Sequence, residues 1–447
     1  MRRALLLALA LLAAAPAGAH AGTFRNPVVP VTASGDDTPD PWIFRHGGRY
    51  WLTYTSGDHV EVRAARELGG LADATPRRLW PRAGAAAEPA DRCCALWAPE
   101  IHRLKRPDGQ TRWYVYYSAN GTSGDTHRIY VLESAGDDPG GRYHFKARLK
   151  LPQPFAIDGT VVTVRGRSYL VYSGGPAFTP TALSIVALRD PWTVRGTPLA
   201  ISQPTLAWEQ GVFAVNEGPE ALVHGDTLNI IYSASWCGTK AYTLGRLTVG
   251  KDDNLLSLAT WRDAKRPSPV FSTDAARGVY GPGHGSFFTS PDGRESWMAY
   301  HATDEDKGCF TGGLRTTRVQ RFAWHADGTP RFGTPVALSA DRAAPGGDPG
   351  SAVQAEDAPG HAADAVVTDR RLVGYRGLRL AAGERIVLRL RASRAGNYAL
   401  RLRVLGGDGA GTVGVRATER TLRRGVNRFA FTAGAAVVLD QVSFRAR

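Results

Sequence analysis

Apolar and polar positions along the first three quarters of the chain follow one line that recurs five times. An acidic residue or histidine comes first, then a short apolar run, a turn, and a strand rich in aromatic residues. Asp40-Pro41-Trp42-Ile43-Phe44 leads to Tyr50-Trp51-Leu52-Thr53-Tyr54. Glu100-Ile101-His102 leads to Trp113-Tyr114-Val115-Tyr116-Tyr117, and Asp158-Gly159-Thr160-Val161-Val162 to Tyr169-Leu170-Val171-Tyr172. Glu217-Gly218-Pro219-Glu220-Ala221 leads to Leu228-Asn229-Ile230-Ile231-Tyr232, and His284-Gly285-Ser286-Phe287-Phe288 to Trp297-Met298-Ala299-Tyr300. Runs of this length, broken by turns such as Gly47-Gly48, Asp108-Gly109 and Asp292-Gly293, predict hairpins. A third strand follows, as in Arg128 to Leu132 and Leu183 to Leu188, and no long helix is expected.

Units of this size cannot each bury two faces alone, but stacked radially they can. The expected fold is all-β, a five-bladed β-propeller over residues 22–339. The first strand of each unit would lie innermost, so the five lead residues converge on a central funnel. A β-sandwich array is the alternative, and the regular period argues against it. Residues 340–350 have linker composition. Beyond them the alternation sharpens. Ile386, Leu388, Leu390, Tyr398, Leu400, Leu402 and Val404 point inward, and Arg389, Arg391, Arg401 and Arg403 outward. Residues 351–447 are expected to form a small β-sandwich.

Charge changes the picture only at the end of the chain. Of a net +14, the last 97 residues carry +9, from 17 arginines against 8 acidic residues. Such a tail could attract polyanions, acidic polysaccharide among them; no nucleic-acid motif accompanies it. Arg2-Arg3, the apolar run Ala4 to Ala15 and Ala19-His20-Ala21 read as a secretion signal over residues 1–21. No later stretch is apolar enough to span a bilayer, so a secreted monomer without a membrane partner is expected. Export permits disulfides among Cys93, Cys94, Cys237 and Cys309, with the pairing open.

Clustered carboxylates raise one another's pKa, and such pairs serve glycoside hydrolysis: one acid protonates the leaving oxygen while a carboxylate activates water or attacks the sugar. Trp97 could stack on a sugar face and Arg315 hold a hydroxyl or tune a carboxylate. Glu220 competes with Glu217, and the repeat phase selects Glu217. Glu100 is expected to be supporting. Asp36 and Asp37 fall outside the phase and read as loop residues.

With these residues in order (Asp40-Pro41, Trp97-Ala98-Pro99-Glu100, Ile157-Asp158-Gly159, Asn216-Glu217-Gly218-Pro219, Gly283-His284-Gly285-Ser286), the sequence resembles glycoside hydrolase family 43 from Phe24 to Leu338. The resemblance implies an inverting enzyme with Asp40 as general base, Glu217 as general acid and Asp158 as the carboxylate that orients the acid and keeps its pKa high. It implies that Arg315 lies near the sugar and that His284 holds a central calcium, mainly through water. Inversion places base and acid about 6.5–9.5 Å apart. The pattern from Cys94 to His102, with the ending Gln320 to Trp324, looks most like exo-acting α-L-arabinofuranosidases that release terminal arabinose from plant cell-wall oligo- or polysaccharide. A β-xylosidase or endo-arabinanase of the same family, and a non-catalytic glycan-binding propeller, stay open. A retaining fructan-acting propeller is disfavoured by Thr38-Pro39 before Asp40. In the tail, Val353 to Asp357, Gly374-Tyr375, Ala395 to Tyr398, Gly425 to Asn427 and Leu439-Asp440 resemble carbohydrate-binding modules of families 6 and 35. There Glu356 and Asp440 would match calcium ligands.

Overall fold

The computed structural model describes residues 22–32, 34–81, 89–122, 126–338, 340–392, 394–406 and 413–446. The expected leader, residues 1–21, lies outside the described residues. The fold is all-β, and the one α-helical segment among the described residues is the single turn Leu258–Trp261.

Five antiparallel sheets follow one another along the chain. The first is Trp42–His46, Arg49–Thr53, Val60–Ala65 and Arg77–Trp80, and the second Cys94–Lys105, Thr111–Asn120, Arg128–Ser134 and Tyr143–Arg148. The third is Phe155–Val164, Arg167–Gly175, Ala182–Asp190 and Thr193–Ser202, and the fourth Asn216–His224, Thr227–Ala234 and Thr243–Gly250. The fifth is Tyr280–Thr289, Ser296–Thr303, Thr316–Trp324 and Pro330–Arg331. Each sheet pairs in sequence order, as short local hairpins require. The first hairpin closes on Gly47 (φ 57°) and Gly48 (φ 70°), the left-handed pair of a two-residue turn whose twist matches the strands.

The core lies between sheets. Val60 and Val62 meet Ile101 and Val115. Tyr116 and Val131 meet Leu170 and Val186. Val171 and Ile185 meet Leu228 and Ile230, and Ile231 and Leu244 meet Met298 and Tyr300. A fifth cluster joins Phe288, Trp297 and Val319 of the last sheet to Ile43 and Leu52 of the first, so the sheets close into a ring.

After the ring, a six-stranded sheet (Gly350–Gln354, Val366–Thr368, Arg376–Leu380, Gly396–Gly406, Val413–Leu422 and Val437–Ala446) shares one core with the two-stranded sheet of Arg385–Ala392 and Gly425–Thr432. Two expectations change here. The stretch 340–350 is no loose linker: Arg342–Ala343 pairs with Thr23–Phe24, and the Asp348 carboxylate accepts from the Leu68 amide at 2.9 Å. Arg403, expected outward, is 4% exposed, because the second face of its sheet also packs against the ring. Its guanidinium pairs with Asp440 and lies 3.4 Å from Asp73. The disulfides are Cys93–Cys94 and Cys237–Cys309.

Candidate active site

Each inner strand has a residue of left-handed backbone at or near its start: Asp40 (φ 55°), Ala98 (43°), Asp158 (56°), Gly218 (51°) and His284 (35°), with Ala95 (48°) and Gly281 (53°) as further ones in the second and fifth. In four sheets the ladder slips at the same place, between Trp97 and Glu100, Ile157 and Thr160, Glu217 and Glu220, and Gly283 and Ser286. A bulge of this kind re-aims side chains, here toward the ring axis. Non-glycine residues accept this conformation at a cost, so the surroundings must hold them.

They are held by the preceding sheet. The Ala98 amide donates to Thr55 Oγ1 at 2.7 Å, that of Asp158 to Ser118 Oγ at 3.0 Å, and that of His284 to Ser233 Oγ at 2.8 Å. Ser173 Oγ donates to the Asn216 carbonyl at 2.7 Å. The ring closes with His301, whose Nδ1 takes the Asp40 amide at 3.1 Å. In the sequence these residues form a second repeat, distinct from that of the lead positions: Tyr54-Thr55, Tyr117-Ser118, Tyr172-Ser173, Tyr232-Ser233 and Tyr300-His301.

The register corrects two lead residues: in the fourth sheet Gly218, not Glu217, is the counterpart of Asp40, and Glu217 aligns with Trp97, Ile157 and Gly283 one residue earlier. Ala98, not Glu100, is the second sheet's counterpart of Asp40, and Glu100 aligns with Thr160, Glu220 and Ser286 one step deeper. Burial pushes the pKa values of Glu100 and Glu220 well up, for Glu100 with repulsion from Glu220 added, and burial alone pushes His102 down to about 3. Glu100 Oε2 and His102 Nε2 share a hydrogen bond of 2.8 Å, a supporting role beneath the cavity.

Asp40, Asp158, Glu217, His284 and Arg315 line one small cavity of ≈ 120 Å³. Its walls include Trp97, Phe178, Phe310 and the Cys237–Cys309 disulfide. Trp97 is braced by His127, with ring centroids 3.8 Å apart. Asp40 Oδ2 accepts from Thr55 Oγ1 at 2.7 Å. Asp40 Oδ1 lies 3.1 Å from His301 Nδ1, 3.3 Å from His284 Nδ1 and 3.6 Å from Arg315 Nη1. Burial opposes ionisation, but His284 and Arg315 outweigh it and hold Asp40 well below the usual carboxylate range.

Glu217 has the opposite balance. Burial and the Asp158 charge push it up to about 7, against His284 and Tyr242, whose phenol donates to Oε1 at 2.8 Å. Burial also raises Asp158, against the pull of His284, and Asp158 Oδ2 accepts from the Gly218 amide at 2.9 Å. Burial disfavours the His284 cation, yet Asp40, Asp158 and Glu217 outweigh it and raise its pKa. One cavity thus holds a carboxyl group whose pKa is pushed far down and another whose pKa is pushed up to about 7.

Sequence reasoning missed Tyr242, His301, Thr55, Phe178 and Phe310, none of which occupies a lead position. It also placed Asp37 in a passive loop, whereas Asp37 accepts from Arg315 Nε at 3.1 Å and fixes that side chain.

The tail carboxylates Glu356 and Asp440 do not fit a calcium site, because each already faces a guanidinium. Among the described residues no group of three or more His, Cys, Asp or Glu is placed to hold a metal ion. The His284 imidazole serves Asp40 and Asp158, and Gly218 abuts its ring. In the tail, Glu356 Oε1 accepts from Arg25 Nη1 at 3.0 Å, and Asp440 is bound by Arg403 and by the Val373 amide at 3.1 Å. A guanidinium already neutralises each carboxylate.

Comparisons with known proteins agree with this chemistry. An extracellular exo-α-(1→5)-L-arabinofuranosidase of Streptomyces avermitilis is 40% identical over 354 residues, 75% of this chain and 69% of the relative. One of the same description from Streptomyces chartreusis is 34% identical over 303 residues, 65% of this chain and 87% of the relative. The crystal structure of an α-L-arabinofuranosidase from Lactobacillus brevis superposes with a TM-score of 0.63 at 30% identity, covering 71% of this chain and 98% of that one. The model of glycosyl hydrolases family 43 matches residues 24–330, and the chain belongs to that family of glycoside hydrolases.

Proposed function

We propose that this protein is an extracellular, inverting exo-α-L-arabinofuranosidase that releases terminal arabinofuranose from arabinan or arabinose-decorated plant polysaccharide. The observation that carries the reading is the divergence of two carboxyl groups in one cavity: Asp40 ionised, Glu217 protonated up to about pH 7. Asp40 takes a proton from water as that water attacks the anomeric carbon, and Glu217 delivers its proton to the departing glycosidic oxygen. Asp158 keeps Glu217 protonated. Arg315, aligned by Asp37, and Trp97 hold the sugar. His284 carries the positive charge that lets Asp40 stay ionised beside two other acids. The aromatic and disulfide walls support an exo mode, in which one sugar enters.

In this reading the five sheets are the blades of a five-bladed β-propeller over residues 22–339. Residues 351–447 are a separate β-sandwich resembling a carbohydrate-binding module of family 6 or 35.

Asp40→Asn and Glu217→Gln test the roles. On an arabino-oligosaccharide each is expected to lose about 10²–10⁴-fold in kcat with an unchanged melting temperature. Near-normal hydrolysis by Asp40→Asn would remove the base assignment.

A further inference from the structure

The arginines of the C-terminal unit fall into two sets. Those facing the ring are neutralised: Arg403 by Asp440 and Asp73, Arg445 by Glu67 at 3.1 Å, and Arg370 by Glu305 at 2.9 Å. Those on the outer face of the two-stranded sheet are not. In strand Arg385–Ala392 the arginines 385, 389 and 391 are exposed and alternate with buried Ile386, Leu388 and Leu390. Across the ladder Arg389 stands directly opposite Arg428. Like charges facing each other across a strand pair destabilise it, so folding alone does not favour this arrangement. Among the described residues none of these four arginines has an acidic partner. Nearby Glu384 is engaged in its own turn, accepting the Ala381 amide at 2.9 Å.

A cavity of ≈ 210 Å³ opens beside the same strand. Arg385, Arg389 and Arg428 line it together with His361 and Glu384, over the buried Leu378, Leu380 and Ile386. Guanidinium groups bind carboxylates through paired, parallel hydrogen bonds, and alternate residues of a strand repeat them about 6.6–6.8 Å apart.

We propose that this face binds an acidic polysaccharide, a chain bearing uronate carboxylates, and so holds the hydrolase on the polymer that carries its substrate. The choice of a polysaccharide over other polyanions rests on the proposed function. The charge argument does not.

The test uses the full chain. Binding to polygalacturonate, its methyl ester, linear arabinan, duplex DNA and anionic lipid vesicles is measured in about 0.15 M salt, where diffuse attraction is screened. The site variant is Arg385→Ala/Arg389→Ala/Arg428→Ala. A charge-matched control, Arg195→Ala/Arg331→Ala/Arg416→Ala, removes exposed arginines elsewhere. We expect binding to polygalacturonate that falls about tenfold or more in the site variant and less than about threefold in the control. Methyl esterification should weaken it about as much as the site variant does. Arg389→Ala alone, expected to lose several-fold, keeps the comparison usable if the triple variant does not fold. Hydrolysis of an aryl α-L-arabinofuranoside should be unchanged in all variants, and it reads the catalytic assignment separately from polymer binding. Equal losses in the site and control variants, indifference to esterification, or tighter binding to DNA or vesicles would each overturn the proposal.

Discussion

At the scale of single residues, the proposed catalysis rests on opposite treatment of two buried carboxyl groups. Asp40 sits against His284, His301 and Arg315; Glu217 sits against Asp158 and a phenol. The pH dependence follows with a definite sign. Activity needs Glu217 protonated, so kcat/KM falls on the alkaline side near pH 7, while the acid side stays flat because Asp40 protonates only far below its usual range. The Tyr242 hydrogen bond lowers the Glu217 pKa, so Tyr242→Phe should move the alkaline limb upward. It should also slow arabino-oligosaccharides, whose leaving group needs the acid, more than aryl arabinosides, which do not. A uniform loss with an unmoved profile would make Tyr242 merely structural. The carboxylates were legible in sequence because each sits in a short motif at a repeat boundary. Tyr242 was not: it lies in a stretch with no repeat signal, and only folding brings its hydroxyl to Glu217.

At the scale of elements, the left-handed entry residue and the hydroxyl or imidazole that holds it form the repeated device. Its distribution explains why the lead positions differ. Where the device carries Asp40, Asp158 or His284, the side chain enters the cavity; where it carries Ala98 or Gly218, a neighbour does. Gly218 has φ 51°, and a Cβ there would lie 2.8 Å from His284 Cγ. Gly218→Ala should therefore displace His284, weaken the field that keeps Asp40 ionised, and lower kcat/KM at least tenfold. Its backbone strain costs about 1–2 kcal/mol of stability. Retained activity would separate His284 from the function of Asp40. Strands and turns were legible from alternation and Gly-containing turns, but the register was not. Aligning the repeats on acidity put Glu100 in the entry position, whereas the bulge puts Ala98 there.

At the scale of the whole molecule, the C-terminal unit is docked through buried charge. Arg403, Gln354, Gln441 and Ser443 are all buried, although their alternation reads as a solvent face. Period-two patterning reports which residues share a face, and cannot say what covers it. Arg403→Met leaves Asp440 and Asp73 without their cation and should cost about 3–5 kcal/mol, read as a lower melting temperature. No change on melting would mean that the docked face is solvated. The proposed function has Asp40 and Glu217 acting on opposite sides of one sugar. The most direct measurement is the configuration of the first arabinose released, followed by NMR on an α-linked arabino-oligosaccharide before the anomers equilibrate. The account predicts β-L-arabinofuranose first, with the α anomer growing in later; α-L-arabinofuranose first would contradict it.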